Sequence, residues 1–117
     1  MNNKDTGFLG ENITAEYLTQ NGFEILHRNW RYKHLEIDII AFKDGILHIV
    51  EVKTRTDHQF GFPEQAITSK KMQFLKNAAA HYQYEYPQWK YLQFDVAALL
   101  LTPLNEWDLL YITDVYF

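Results

Sequence analysis

Glu36, Asp38, Glu51 and Lys53 lie inside two apolar runs, 36-EIDIIAF-42 and 46-ILHIVEVK-53, where a sheet ordinarily carries Val and Ile. Between the runs stands Asp44-Gly45, a dipeptide suited to a two-residue hairpin turn because both positions take φ > 0. If Lys43 and Ile46 close that turn, counting outward sets Asp38 opposite Glu51 and Glu36 opposite Lys53. Residues two apart on a strand share a face, so all four polar groups fall on one face at one end of the hairpin. Opposed side chains have Cβ atoms about 4.5–5.5 Å apart. Two carboxylates at that distance repel, and one is expected to hold its proton more tightly. A hard divalent cation such as Mg²⁺, bound through carboxylate oxygens, removes the repulsion. A blander arrangement also fits: Glu36 and Lys53 as a cross-strand ion pair, with Asp38 and Glu51 solvated on an open face. Ile40, Phe42, Leu47 and Ile49 share that face, which puts the acids at the end of an apolar stripe. A bulge would shift this register.

The elements that must position these groups follow from the same sequence. Residues 6–20 read as a helix with Asp5 or Thr6 as its cap and Asn21-Gly22 as its stop. Residues 23–32 read as a first strand, and 35–43 with 46–54 as the hairpin. Gly61 and Pro63 mark residues 56–67 as a loop. A second helix spans 68–85, opening near Thr68 or Ser69 and ending before Pro87. Residues 91–101 and 106–117 read as two further strands, separated by a turn at Pro103 and Asn105. The order αβββαββ predicts an α/β sandwich with a mixed sheet. On the first helix, Glu11 lies in line with Phe8, Ala15 and Leu18. Either that stripe faces the sheet and Glu11 is a buried acid needing a partner, or Leu9, Ile13 and Tyr17 face it and Glu11 meets water.

At 117 residues, with 47% hydrophobic and 16% aromatic content, the chain suits one folded domain with a modest core. It has no cysteine, which excludes disulfides and thiolate zinc sites. No apolar run is long enough to span a bilayer, and MNNKDTG lacks a signal-peptide core, so the expected location is the cytoplasm. The net charge of −4 weighs against indiscriminate nucleic-acid binding. The acidity is concentrated in residues 85–117, where five acids face Lys90 alone. With several of the remaining acids assigned to the candidate site, the surface around it is expected to be basic: Arg28, Arg31, Lys33, Lys53, Arg55, Lys70 and Lys71.

Taken together, Gly10-Glu11, 15-AEYL-18, 36-EIDII-40, 50-VEVKTR-55, Lys71 and 94-FDV-96 resemble the YraN-like family of small bacterial proteins. That family is related to archaeal Holliday junction resolvases within the PD-(D/E)XK nuclease superfamily, and the match runs from Gly7 to Val96. The resemblance implies a restriction-endonuclease-like αβββαβ core, a mixed sheet flanked by helices, with an extra C-terminal strand. It also implies a Mg²⁺- or Mn²⁺-dependent endonuclease acting on DNA, branched or damaged. By position, Asp38 matches the metal-binding aspartate, Glu51 and Lys53 match the (D/E)-x-K acid and lysine, and Glu11 matches the first-helix glutamate of the resolvase branch. Asp38 and Glu51 would hold the ion with the Val52 carbonyl, and Glu11 would bind a second ion or tune the first. Lys53 would orient the water or stabilise developing charge. Glu36 and Lys71 match family positions of less defined role. The family has Gly where this chain has Leu35, which puts the strand entry in question because Leu resists φ > 0.

For nucleic-acid contact the sequence offers Arg28, Arg31, Lys33, Arg55 and Lys71. Trp30 and Tyr32 among them serve either as stacking rings or as core. Arg55 and His58 lead into the loop, Glu64 and Gln65 are outer candidates, and the five histidines read as structural or surface residues. Two function classes remain: a metal-dependent nuclease, or a non-catalytic nucleic-acid- or partner-binding module on the same fold. Resolvase resemblance also implies a homodimer. In 106-EWDLLYITDVYF-117, Trp107, Leu109, Tyr111, Thr113 and Val115 are expected to face the core, with Leu110, Ile112 and Tyr116 outward.

Overall fold

A computed structural model describes residues 3–55, 68–102, 104 and 106–115. The segment 56–67, with His58, Glu64 and Gln65, lies outside the described residues, as do Tyr116 and Phe117. The elements are α1 (Asn3–Gln20), β1 (Glu24–Tyr32), β2 (Leu35–Lys43), β3 (Ile46–Arg55), α2 (Ser69–Glu85), β4 (Leu92–Leu101) and β5 (Trp107–Ile112). This is the αβββαββ order expected from the sequence. Helix α1 starts at Asn3, so Asp5 and Thr6 lie within it instead of capping it. Thr68 caps α2, its hydroxyl accepting the Lys71 N–H at 3.1 Å.

The five strands form one mixed sheet in sequence order, with β3 and β4 parallel and the other neighbours antiparallel. Parallel neighbours need a long crossover, and α2 lies within the β3–β4 connection. One core cluster joins Met72, Leu75, Ala78, Ala79 and Tyr82 of α2 to Leu35, Ile37, Ile40, Leu47 and Ile49. A second joins Leu18 of α1, with Ile13, Ala15 and Tyr17 against it, to Ile39, Ala41, Val50, Ala97 and Leu99. The helices therefore cover opposite faces of the sheet. Among the described residues, no helix is long and apolar enough to cross a membrane.

The Asp44-Gly45 turn forms as expected, with φ of 52° and 81°, and β2 pairs β3 in the counted register from Lys43↔Ile46 to Ile39↔Val50. Leu35 does not need the glycine conformation. It is a buried core residue at the entry to β2, and the positive φ of this turn falls on Lys33 at 56°. In β5, Trp107, Leu109 and Tyr111 pack on the α1 side. Ile112 departs from expectation by packing, with Val115, against the α2-side cluster. Leu110 does face outward and is 51% exposed.

Candidate active site

Asp38 sits where β2 changes faces. Leu35 and Ile37 belong to the α2-side core, whereas Ile39 and Ala41 belong to the α1-side core. Strict alternation would have kept all four on one side, so the strand slips by one residue at Asp38. There the side chain replaces a backbone partner: Asp38 Oδ2 accepts the Val52 N–H at 2.9 Å. The four polar groups thus do not share one face. Glu36, flanked by Leu35 and Ile37, turns to the α1 side and pairs with Arg31 of β1 at 3.4 Å. The expected Glu36–Lys53 opposition gives way to this pair, because the slip separates Glu36 from the β3 register.

Glu51 is 4% exposed. It follows Val50 on β3 and so points to the α2 side. Lys53 Nζ lies 3.8 Å from its Oε1, and Lys71 Nζ, from the first turn of α2, lies 3.6 Å from its Oε2. Glu51 Oε2 is fully buried and has no hydrogen-bond partner among the described residues. Burial pushes this carboxyl up to about 7; the charge of Asp38 adds to the rise, and Lys71 and Lys53 oppose it. The close Asp38–Glu51 repulsion expected from the sequence is therefore present, relieved here by two ammonium groups.

Glu11 is partly buried and reaches the same end of the sheet from α1. Its carboxyl is held above the usual range, by burial first and then by the charge of Asp38, while a hydrogen bond with Asn29 and the charge of Arg28 offset part of this. Asn29 is placed for that contact by a left-handed backbone, φ 52°. Neither expected stripe holds alone: Gly10, Thr14 and Leu18 form the buried line of α1, Glu11 and Ala15 flank it half-buried on one side and Ile13 and Tyr17 on the other, and Phe8 is 61% exposed. Helix α1 can approach because residue 10 is glycine; a Cβ there would collide with the Thr54 hydroxyl of β3.

The basic residues divide. Lys53 and Lys71 converge on Glu51. Arg28 is bonded to Asn12 of α1 at 2.7 Å, and Arg31 to Glu36. Arg55 donates to the Thr54 carbonyl at 3.2 Å. Lys33 lies over the Tyr32 ring, 5.3 Å from its centre. Trp30 packs edge-on to Tyr82 in the core margin. Among the described residues, no three His, Asp or Glu side chains stand together closely enough to hold a metal ion between them. The carboxylate oxygens present are hard donors of the kind Mg²⁺ and Mn²⁺ take, and Glu51 Oε2 is a buried acceptor with the Lys71 ammonium 3.6 Å away.

One polar cluster was not legible as such. Asp95 of β4 is buried under α1 with His48, whose Nδ1 lies 2.6 Å from its Oδ2. The Tyr111 hydroxyl, the Gln93 amide and the Asp114 N–H also donate to it. The available signal was an aspartate inside the apolar run 91–101, level with a histidine inside an apolar strand.

A family model described as "Uncharacterised protein family UPF0102" matches residues 10–99. A UPF0102 protein of Dictyoglomus turgidum is 41% identical over 107 residues, covering 91% of each chain. One from Flavobacterium johnsoniae is 39% identical over 99 residues, covering 81% of this chain and 80% of its own. One from Clostridium perfringens is 40% identical over 95 residues, covering 80% and 78%.

Proposed function

The chain belongs to the UPF0102, or YraN-like, family, and from that premise we propose a divalent-metal-dependent nuclease that hydrolyses DNA phosphodiester bonds, on branched or damaged DNA. The observation that carries this reading is Glu51 Oε2, a buried carboxylate oxygen with no hydrogen-bond partner among the described residues, beside a second carboxylate and two lysines. A purely structural acid at 4% exposure is expected to have its acceptors filled. Strained pairs of this kind concentrate at reactive sites. The PD-(D/E)XK relationship and the restriction-endonuclease-like core belong to the same proposal, supported by the motif resemblance and by the mixed sheet.

Asp38, Glu51 and the Val52 carbonyl would hold Mg²⁺ or Mn²⁺, with Glu11 at a second position or as a neighbour that tunes the first. Bound there, the ion supplies an acidified water and polarises the phosphoryl oxygen. The protein's own groups do the rest. Asp38 is fixed by the Val52 N–H, so its free oxygen needs no reorganisation to bind. Lys53, 3.8 Å from Glu51, would orient the attacking water or stabilise developing negative charge. Lys71, 3.6 Å from the same carboxylate at the first turn of α2, would meet a phosphate there.

The test is a panel of labelled single-stranded, duplex, flap and four-way-junction DNA with Mg²⁺ or Mn²⁺. Parent protein should cut at least one substrate. Asp38→Ala should lose at least about 10²-fold in cleavage and most of its Mn²⁺ affinity by titration calorimetry. Lys53→Ala should lose a comparable amount of cleavage with Mn²⁺ affinity unchanged or higher, since a cation beside the site is gone. Binding without cutting on every substrate selects the second reading, a non-catalytic nucleic-acid- or partner-binding module. One observation favours that alternative: Lys53 and Lys71 already compensate Glu51 within the protein. We place the protein in the cytoplasm and, from the resolvase resemblance and exposed Leu110 on edge strand β5, as a homodimer. A 14.0 kDa species in sedimentation at micromolar concentration would remove the dimer.

A further inference from the structure

Helix α2 carries more than the site lysine. Lys70, Phe74, His81 and Tyr84 recur at helical spacing along one side of it, over 14 residue steps or about 21 Å of helix. The β1–β2 turn lies against this side. Tyr32 stacks on His81 with ring centres 3.5 Å apart and planes 12° from parallel. Lys33 stands 5.3 Å above the Tyr32 ring and Lys70 stands 5.8 Å above Phe74. Among the described residues neither lysine has a carboxylate at ion-pair distance; each rests over a ring. Tyr84, 6.2 Å from His81 between ring centres, is 83% exposed. The strip begins beside Lys71, whose ammonium group touches Glu51.

Rings alternating with cations, with the Glu85 carboxylate bonded to His81, match one kind of partner. Bases stack on ring faces regardless of sequence, and the cations follow the phosphates. A duplex hides its base faces and could use only the lysines. We infer that this strip is a track for single-stranded nucleic acid leading into the Glu51 site, with Tyr84 as its outer stacking platform. The strip has room for about six stacked nucleotides at about 3.4 Å each. Glu85, bonded to His81 at 2.8 Å, fixes that ring for the Tyr32 stack. The inference rests on the nuclease reading for its direction, and it specifies the substrate as a strand that is unpaired next to the cut.

Binding is measured by fluorescence anisotropy in EDTA, so that cleavage plays no part and failure of the nuclease reading stays separate. The probes are a single-stranded DNA, a single-stranded RNA and a blunt DNA duplex of one sequence. Single strands should bind at least about fivefold more tightly than duplex. Tyr84→Ala, on an exposed side chain with no core to disturb, should weaken single-strand binding by about 5- to 100-fold and leave duplex binding unchanged. Lys33→Ala with Lys70→Ala should flatten the slope of log affinity against log salt by about 1.4 for single strands. The DNA and RNA arms identify which sugar the track prefers. Parent-like affinity in Tyr84→Ala, an unaltered salt slope in the lysine variant, or tighter binding of duplex would each overturn the track.

Discussion

Glu51 and Asp95 are buried carboxylates on adjacent strands, 4% and 1% exposed, and their surroundings treat them in opposite ways. Asp95 is saturated. Burial works against its charge, yet His48, Tyr111, the Asp114 N–H and Gln93 together hold its carboxyl below the usual carboxylate range. Among the described residues Glu51 is met by two lysines, at 3.6 and 3.8 Å, and burial carries its carboxyl up to about 7. Asp95 also holds Tyr111, whose hydroxyl is pushed far up by burial and by that charge. The saturated acid ties β4, β3 and β5 together beneath α1. The unsaturated one leaves an oxygen facing the lysines at the opposite face. Burial alone therefore does not mark a reactive acid; burial with unfilled acceptors does.

The contrast is sharpest in stability. Asp95→Asn leaves a buried histidine and a half-buried phenol facing an amide, and removing one partner of a buried ionic group costs about 3–5 kcal/mol. Urea unfolding should show that loss. A change below about 1 kcal/mol would remove Asp95 from its structural role and dissolve the comparison.

The two acids should also pull the pH dependence of stability in opposite directions. The Glu51 carboxyl is raised from 4.5 to about 7, so its contribution is complete below about pH 4.5 and is lost as pH rises through about 7. Glu51→Gln should flatten this decline, an effect of about 1–3 kcal/mol. Asp95 is lowered from 3.8, so its contribution is present above pH 3.8 and is lost as pH falls through the depressed value. Asp95→Asn should remove that acid-side loss. Unfolding curves from pH 3 to 8 on both variants decide it, and a Glu51→Gln protein that keeps the parent's decline between pH 4.5 and 7 contradicts the assignment.

A third carboxylate supplies the control. Glu36 pairs with Arg31, whose side chain is 73% exposed, so solvent screens the pair. A double-mutant cycle on Arg31→Ala and Glu36→Ala should return about 0–1 kcal/mol. A coupling above about 2 kcal/mol would mean that Glu36 belongs with the buried acids.

The hairpin was legible because a two-residue turn leaves no freedom: Asp44-Gly45 set the register, and it held through Ile39↔Val50. What followed was not legible, because counting assumes uniform alternation and Asp38 breaks it. The slip depends on the competition between backbone and side chain for the Val52 N–H, which has no signature in residue spacing. For the same reason Lys53 was set against Glu36 when its observed partner is Glu51. The orientation of Glu11 was undecidable from α1 alone, since the helix is amphipathic in neither direction strongly; Asn29 and Gly10 settle it from outside. Lys71 carried family weight but no geometry until α2 was placed. The Asp95 cluster joins residues from three strands, and no local pattern announces such a meeting.

Gly10 and Thr54 are 44 positions apart in the chain yet occupy a single slot of space. Within α1 the Thr14 hydroxyl donates to the Gly10 carbonyl at 2.8 Å, at the same turn of the helix. Anyone diversifying this protein would have to treat positions 10 and 54 as one variable. A methyl group at 10 is admissible only in company with a smaller side chain at 54, and either change alone alters how deep α1 rides on the sheet. That depth is what sets Glu11 beside Asp38, so the spacing of the two acids is encoded at a pair of residues that carry no charge.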